Sequence, residues 1–94
     1  MTGLEIATEQ TQATIEAWEQ ADDLKELFND CLGYEKTTDE HNNIVRLTIQ
    51  VSTYTWVTIG GDSKVTSYVD GYEYSEPLPD DVVDNFVADL ENIL

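Results

Sequence analysis

The apolar positions of this chain change period twice, and each change marks an element. Ala17, Ala21, Leu24, Phe28 and Cys31 recur at spacings of 4, 3, 4 and 3, one stripe at helical pitch, which predicts a long helix over residues 8–32. Gly33 follows as a C-cap, because glycine tolerates the left-handed conformation that closes a helix. The start has two readings: a capping box at Thr2-x-x-Glu5 begins the helix near residue 3, whereas Thr8 or Thr11 begins it later. Beyond Gly33 the period falls to 2. Tyr34–Thr38 reads as a short strand and Asp39–Asn43 as a turn. Ile44–Val51 alternates Val45, Leu47, Ile49 and Val51 on one face with Arg46, Thr48 and Gln50 on the other, the signature of a half-buried strand.

The alternation runs on in phase through Thr53, Thr55, Val57 and Ile59, so Ser52-Thr53 is either a tight turn or a bend in one long strand. Gly60-Gly61-Asp62-Ser63 and Asp70-Gly71 are hairpin signals that serve strands Lys64–Val69 and Tyr72–Tyr74, unless the second is a bulge. Glu76-Pro77-Leu78-Pro79-Asp80 ends the sheet. Val82, Val83, Phe86, Val87, Leu90, Ile93 and Leu94 then restore the helical period, with Asp80 as N-cap or first-turn acid. The expected fold is α+β in two layers, 1–94 forming a single acidic domain. A long N-terminal helix, a three- to four-stranded antiparallel sheet and a C-terminal helix share one core.

Charge changes this picture more than composition does. Four Lys and Arg against 20 Asp and Glu leave a net charge of −16 on 94 residues. Direct binding of nucleic acid needs a basic patch and is excluded, as is adsorption to an anionic membrane. A hydrophobic fraction of 40% with two Trp and five Tyr separates the chain from disordered acidic tails. On the first helix, Glu16, Glu19, Asp23, Glu26 and Asp30 follow spacings of 3, 4, 3 and 4 and fall within a sector of about 80°, opposite the apolar stripe. Glu5 and Glu9 join it if the helix extends that far, and Lys25 lies outside it. Like charges at i,i+4 each destabilise a helix by roughly 0.2–0.5 kcal/mol, so stability alone would intersperse lysines here. A second acidic set, Glu73, Glu76, Asp80, Asp81, Asp84, Asp89 and Glu91, surrounds the other helix and its approach.

Carboxylates three or four residues apart on a helix stand roughly 5–6 Å apart, comparable to successive phosphates on a nucleic-acid strand. Two such rows can stand in for phosphate backbones in the basic groove of a nucleic-acid-binding protein. A halophile-type or generic acidic domain is the competing reading, since 11 Thr and a single Arg accompany the acids. In overall character, and in the rows Glu16, Glu19, Asp23, Glu26, Asp30 and Asp80, Asp81, Asp84, the chain resembles the phage-encoded acidic nucleic-acid mimics of the anti-CRISPR and anti-restriction type. That resemblance implies a stoichiometric inhibitor that occupies the DNA-binding or PAM-reading groove of an effector complex. Small immunity proteins against basic nuclease toxins are similar in the same way.

Signals for chemistry are weak. Cys31 lies on the apolar stripe and His41 in a polar turn, so neither reads as a nucleophile or base. Gly60-Gly61-Asp62-Ser63-Lys64 lacks the order of a phosphate loop, and Asp39–Asn43 lacks the spacing of a calcium loop. No catalytic residue, cofactor or metal ligand is expected. Tyr54, Trp56 and Tyr68 lie out of phase with the strands' aliphatic face and offer a surface for a partner or a second copy, or pack on one another across strands. A lone cysteine, no apolar run of roughly 18 residues, and Met1-Thr2-Gly3-Leu4-Glu5 without a leader pattern together suggest a cytoplasmic protein, in the host cell if phage-encoded.

Overall fold

In a computed structural model that describes residues 2–93, α1 (Gly3–Glu19) begins at the earlier of the two expected starts. Thr2 is its N-cap, and the Thr2 hydroxyl accepts the Glu5 N–H at 3.2 Å. The helix does not continue to residue 32. It ends at Gln20, and a second helix, α2 (Leu24–Asn29), starts behind Asp23, whose carboxylate accepts the Lys25 N–H at 2.9 Å. Aspartate competes for backbone donors in this way and favours caps over helix interiors, which is why Asp22-Asp23 breaks the expected helix.

The break also uncouples the two faces. α1 buries Gly3, Ala7, Thr11 and Trp18, whereas Ala17, expected in the core, is exposed. A Cβ on Gly3 would lie 2.6 Å from the Val69 carbonyl oxygen, so the first turn rests directly on the sheet.

Five strands follow as an antiparallel meander: β1 (Gly33–Thr38), β2 (Ile44–Gln50), β3 (Thr55–Ile59), β4 (Lys64–Val69) and β5 (Tyr72–Pro77), ordered 1-2-3-4-5. The sheet exceeds the expected three or four strands because residues 51–54 turn and Asp70-Gly71 separates two strands, the last of which runs on to Pro77. In the first of these places Val51 N–H donates to the Thr55 carbonyl at 3.0 Å, which resolves residues 44–59 into two strands. Asp70 and Gly71, with φ of +52° and +85°, form the two-residue turn that matches right-handed strand twist, so the second pair is a hairpin and not a bulge.

Every helix lies on one face of the sheet. Leu47, Ile49, Val57 and Val65 meet Trp18, Phe28 and Phe86 there, with ring centroids 5.7 Å apart for Trp18–Phe86 and 6.5 Å for Phe28–Phe86. A buried hydroxyl chain ties α1 to the sheet: Thr11 donates to Ser67 Oγ at 2.8 Å, and Ser67 and Thr55 share a hydrogen bond of 2.9 Å. The C-terminal stripe forms α3 (Asp80–Ala88) and α4 (Leu90–Ile93), parted at Asp89. Asp80 is a first-turn acid and not the cap, which is Pro79. Val82, Phe86 and Ile93 reach the core; Val87 is exposed, and Leu94 lies outside the described residues. No helix among the described residues is long and apolar enough to cross a membrane.

Candidate functional site

The helical layer holds most of the charge. Residues 3–30 and 80–93 carry 13 carboxylates and one lysine, Lys25, a net −12, and all 13 acids are exposed. The remaining seven acids and three cations sit on the sheet and its loops, a net −4. Among the described residues no lysine or arginine forms an ion pair; the one close contact joins His41 to Glu40 in an exposed turn.

Within that layer the expected row is rearranged. Glu16 and Glu19 occupy the last turn of α1, Asp23 caps α2, Glu26 lies in the first turn of α2, and Asp30 caps the C-terminal end of α2. They therefore do not form one straight 80° ladder. The fold compensates by bringing the α1–α2 break against α3. Glu19, Asp22, Asp23, Asp81 and Asp89 line a single concavity of about 260 Å³, floored by Trp18, Leu24 and Val82. Asp80 and Asp84 are exposed on α3 outside it.

Asp22 belongs to this group, yet it falls outside the three-and-four spacing that picked out its neighbours. The signal that points to it is Asp23-x-x-Glu26, a capping-box pattern that would have located the break.

Two other expected acids stand apart. Glu73 faces Tyr68 across β4 and β5, on the side of the sheet away from the helices. Glu76 is half-buried and already engaged: the Tyr74 hydroxyl donates to it, and so does Gln12 Nε2 at 3.4 Å. The bond to Glu76 raises the Tyr74 phenol above its ordinary range, and burial and the Glu76 charge act in the same direction.

Four of the acids are placed against helix stability, while Glu5, Asp23, Glu26, Asp80 and Asp81 lie at helix N-termini, where the dipole favours them. No helix has a basic residue in its last turn, and Glu16, Glu19, Asp30 and Asp89 all sit at or beside helix C-termini. The helix dipole is negative there, and each such charge costs about 0.3–1 kcal/mol at low salt. A lysine or arginine brought by a partner would relieve both this cost and the mutual repulsion around the concavity. Among the described residues no three His, Cys, Asp or Glu side chains gather closely enough to hold a metal ion.

Cys31 and His41 are far apart in space: Cys31 is half-buried against the core, while His41 is exposed in the turn beyond the far end of β1, about 20 Å along the strand. They form no dyad. Tyr54 and Tyr68 are exposed and Trp56 is half-buried, all on the outer face of the sheet. Trp56 and Tyr68 do not stack; the ring pairs among the described residues are Trp18–Phe86, Phe28–Phe86 and Phe28–Tyr34. Compared with protein-family models, curated proteins and solved structures, the chain matches none.

Proposed function

We propose that this chain is a stoichiometric inhibitor whose acidic helical layer takes the place of nucleic-acid phosphates in the basic groove of an effector complex, as in the anti-CRISPR and anti-restriction mimics that it resembles. The observation that carries this reading is the concavity of Glu19, Asp22, Asp23, Asp81 and Asp89, five carboxylates with no cation of the chain's own among the residues that line it. Thirteen exposed acids on one layer attract a cationic groove over long range and speed association. Guanidinium and ammonium groups entering the concavity release the counterions gathered around its carboxylates, as they release those condensed on DNA or RNA phosphates.

The inhibitor occludes and does no chemistry, so one chain silences one target. On this reading it works in the cytoplasm, of the host cell if phage-encoded, and binds neither nucleic acid nor membrane itself. An immunity protein against a basic nuclease toxin would use the same surface on a different target.

The test pairs two titrations. In the first, the chain is added to a basic effector holding fluorescent DNA or RNA, and displacement is followed by anisotropy at rising salt. A mimic displaces the nucleic acid at one-to-one stoichiometry and weakens steeply as salt rises. In the second, folding is followed in molar salt. A halophile-type domain gains stability there and displaces nothing, and that pair of results would reject the proposal.

A further inference from the structure

The outer face of the sheet carries no helix, and its charge differs from that of the rest of the molecule. Strand register places Glu35, Arg46, Lys64 and Glu73 on it, two acids and two of the chain's four cations, so the face is neutral on a chain of −16. Threonines fill much of the space between these charges, and Trp56 stands on the central strand.

A basic partner is drawn to the helical layer instead, and nucleic acid is repelled by the whole molecule. The occupant whose charge matches this face is the same face on a second copy. We propose that two copies pair through the outer face about a two-fold axis parallel to β3, an inference independent of what the helical layer binds.

Such an axis lays β2 over the partner's β4 and β1 over the partner's β5, and keeps the cross-strand rows level. Glu35 and Lys64 belong to one row, running through Thr48 and Thr58. Each Glu35 therefore lies one strand spacing, about 4.8 Å, to the side of the partner's Lys64, with the sheets about 10 Å apart. Trp56 meets the partner's Trp56 near the axis. Both acidic helical layers then point outward, where their mutual repulsion is least.

Five strands at that spacing give a face of about 20 Å by 20 Å, or about 800 Å² hidden in total on a flat projection. This is below the standard interface range, so the dimer forms weakly and responds to concentration.

The full chain, run by sedimentation equilibrium from low micromolar to submillimolar concentration, should show a monomer–dimer equilibrium. It should tighten severalfold from low to physiological salt, because salt screens the repulsion between the two chains. Acrylamide quenching should fall as the dimer forms, and that change reports Trp56, because Trp18 is only 3% exposed. Tyr54→Glu with Tyr68→Glu, both at side chains about half exposed, should weaken the dimer at least tenfold while circular dichroism stays unchanged. Lys64→Glu should weaken it too, and adding Glu35→Lys should restore it. A chain that stays monomeric throughout overturns the proposal, as does a dimer indifferent to these variants. Trp56 protection that arises only on adding oligolysine would assign the face to a basic partner and overturn it equally.

Discussion

Replacing Glu19 by Gln and Asp89 by Asn should make the protein more stable while leaving its shape unchanged. Both carboxylates line the concavity, one in the last turn of α1 and the other at the C-cap of α3. Each opposes a helix dipole at a cost of about 0.3–1 kcal/mol at low salt, offset in part for Asp89 because it also precedes the single turn of α4. Both are exposed, so solvent screening favours the lower half of that range. Relief of repulsion from Asp22, Asp23 and Asp81 adds a smaller amount, and asparagine is itself well suited to a helix end. Together the pair should contribute about 1 kcal/mol, or about 4–8 °C in Tm for a chain of this length. Asp81→Asn is the contrasting control. Asp81 lies in the first turn of α3, where the dipole favours an acid, so relieved repulsion and lost dipole interaction offset each other. Urea unfolding, which leaves ionic strength free to vary, gives the measurement. The gain should shrink as sodium chloride is added. A double variant whose urea midpoint is unchanged or lower at low salt would refute the electrostatic account of the layer.

Ser67→Ala removes the shared partner of Thr11 and Thr55, both fully buried; Thr11 retains the Tyr74 carbonyl at 3.4 Å, but Thr55 Oγ1 loses its bond. The expected loss is about 1–3 kcal/mol by urea unfolding, and adding Thr55→Val should recover part of it. Gly60→Ala should cost clearly more than Gly61→Ala: at Gly60, φ is +111° and a Cβ would lie 2.4 Å from the Val45 carbonyl oxygen, whereas Gly61, at +62°, opens onto free space. Because the Tyr74 phenol is raised by its bond to Glu76, its stabilising effect is full below the unfolded tyrosine pKa of about 10 and is lost as pH rises through the folded value. Tyrosinate absorbance should show a late-titrating component that Tyr74→Phe removes.

The sheet was more legible than the helices, for a physical reason. Period 2 is set by strand geometry alone, so Leu47, Ile49 and Val57 were on the correct face, though Val45 at the start of β2 is exposed. Asp70-Gly71 was legible as a turn signal, but not as a hairpin rather than a bulge. A helical stripe keeps phase only while the helix is unbroken. Because Asp23 restarts it, Ala7, Thr11 and Trp18 take the core positions of α1 independently of Leu24 and Phe28, and Ala17 turns outward. The acidic residues were visible one by one, but their grouping was not. Glu19 and Asp89 meet only because α3 packs against the α1–α2 break, a contact between opposite ends of the chain that no local spacing records. The side chain of Glu76 was likewise committed to Tyr74 and Gln12 by strand register, and Glu73 was carried to the far face by the same register.

The most direct test of the central claim is displacement of fluorescent nucleic acid from a basic effector by the parent chain and by Glu19→Gln with Asp89→Asn, side by side at one salt concentration. If the helical layer is the binding surface, the more stable double variant should displace more weakly by about tenfold or more, since losing even one charge-assisted contact costs about 1.5–3 kcal/mol. Displacement by the double variant equal to that of the parent would contradict the account and return the acidic concavity to the status of a solvated surface.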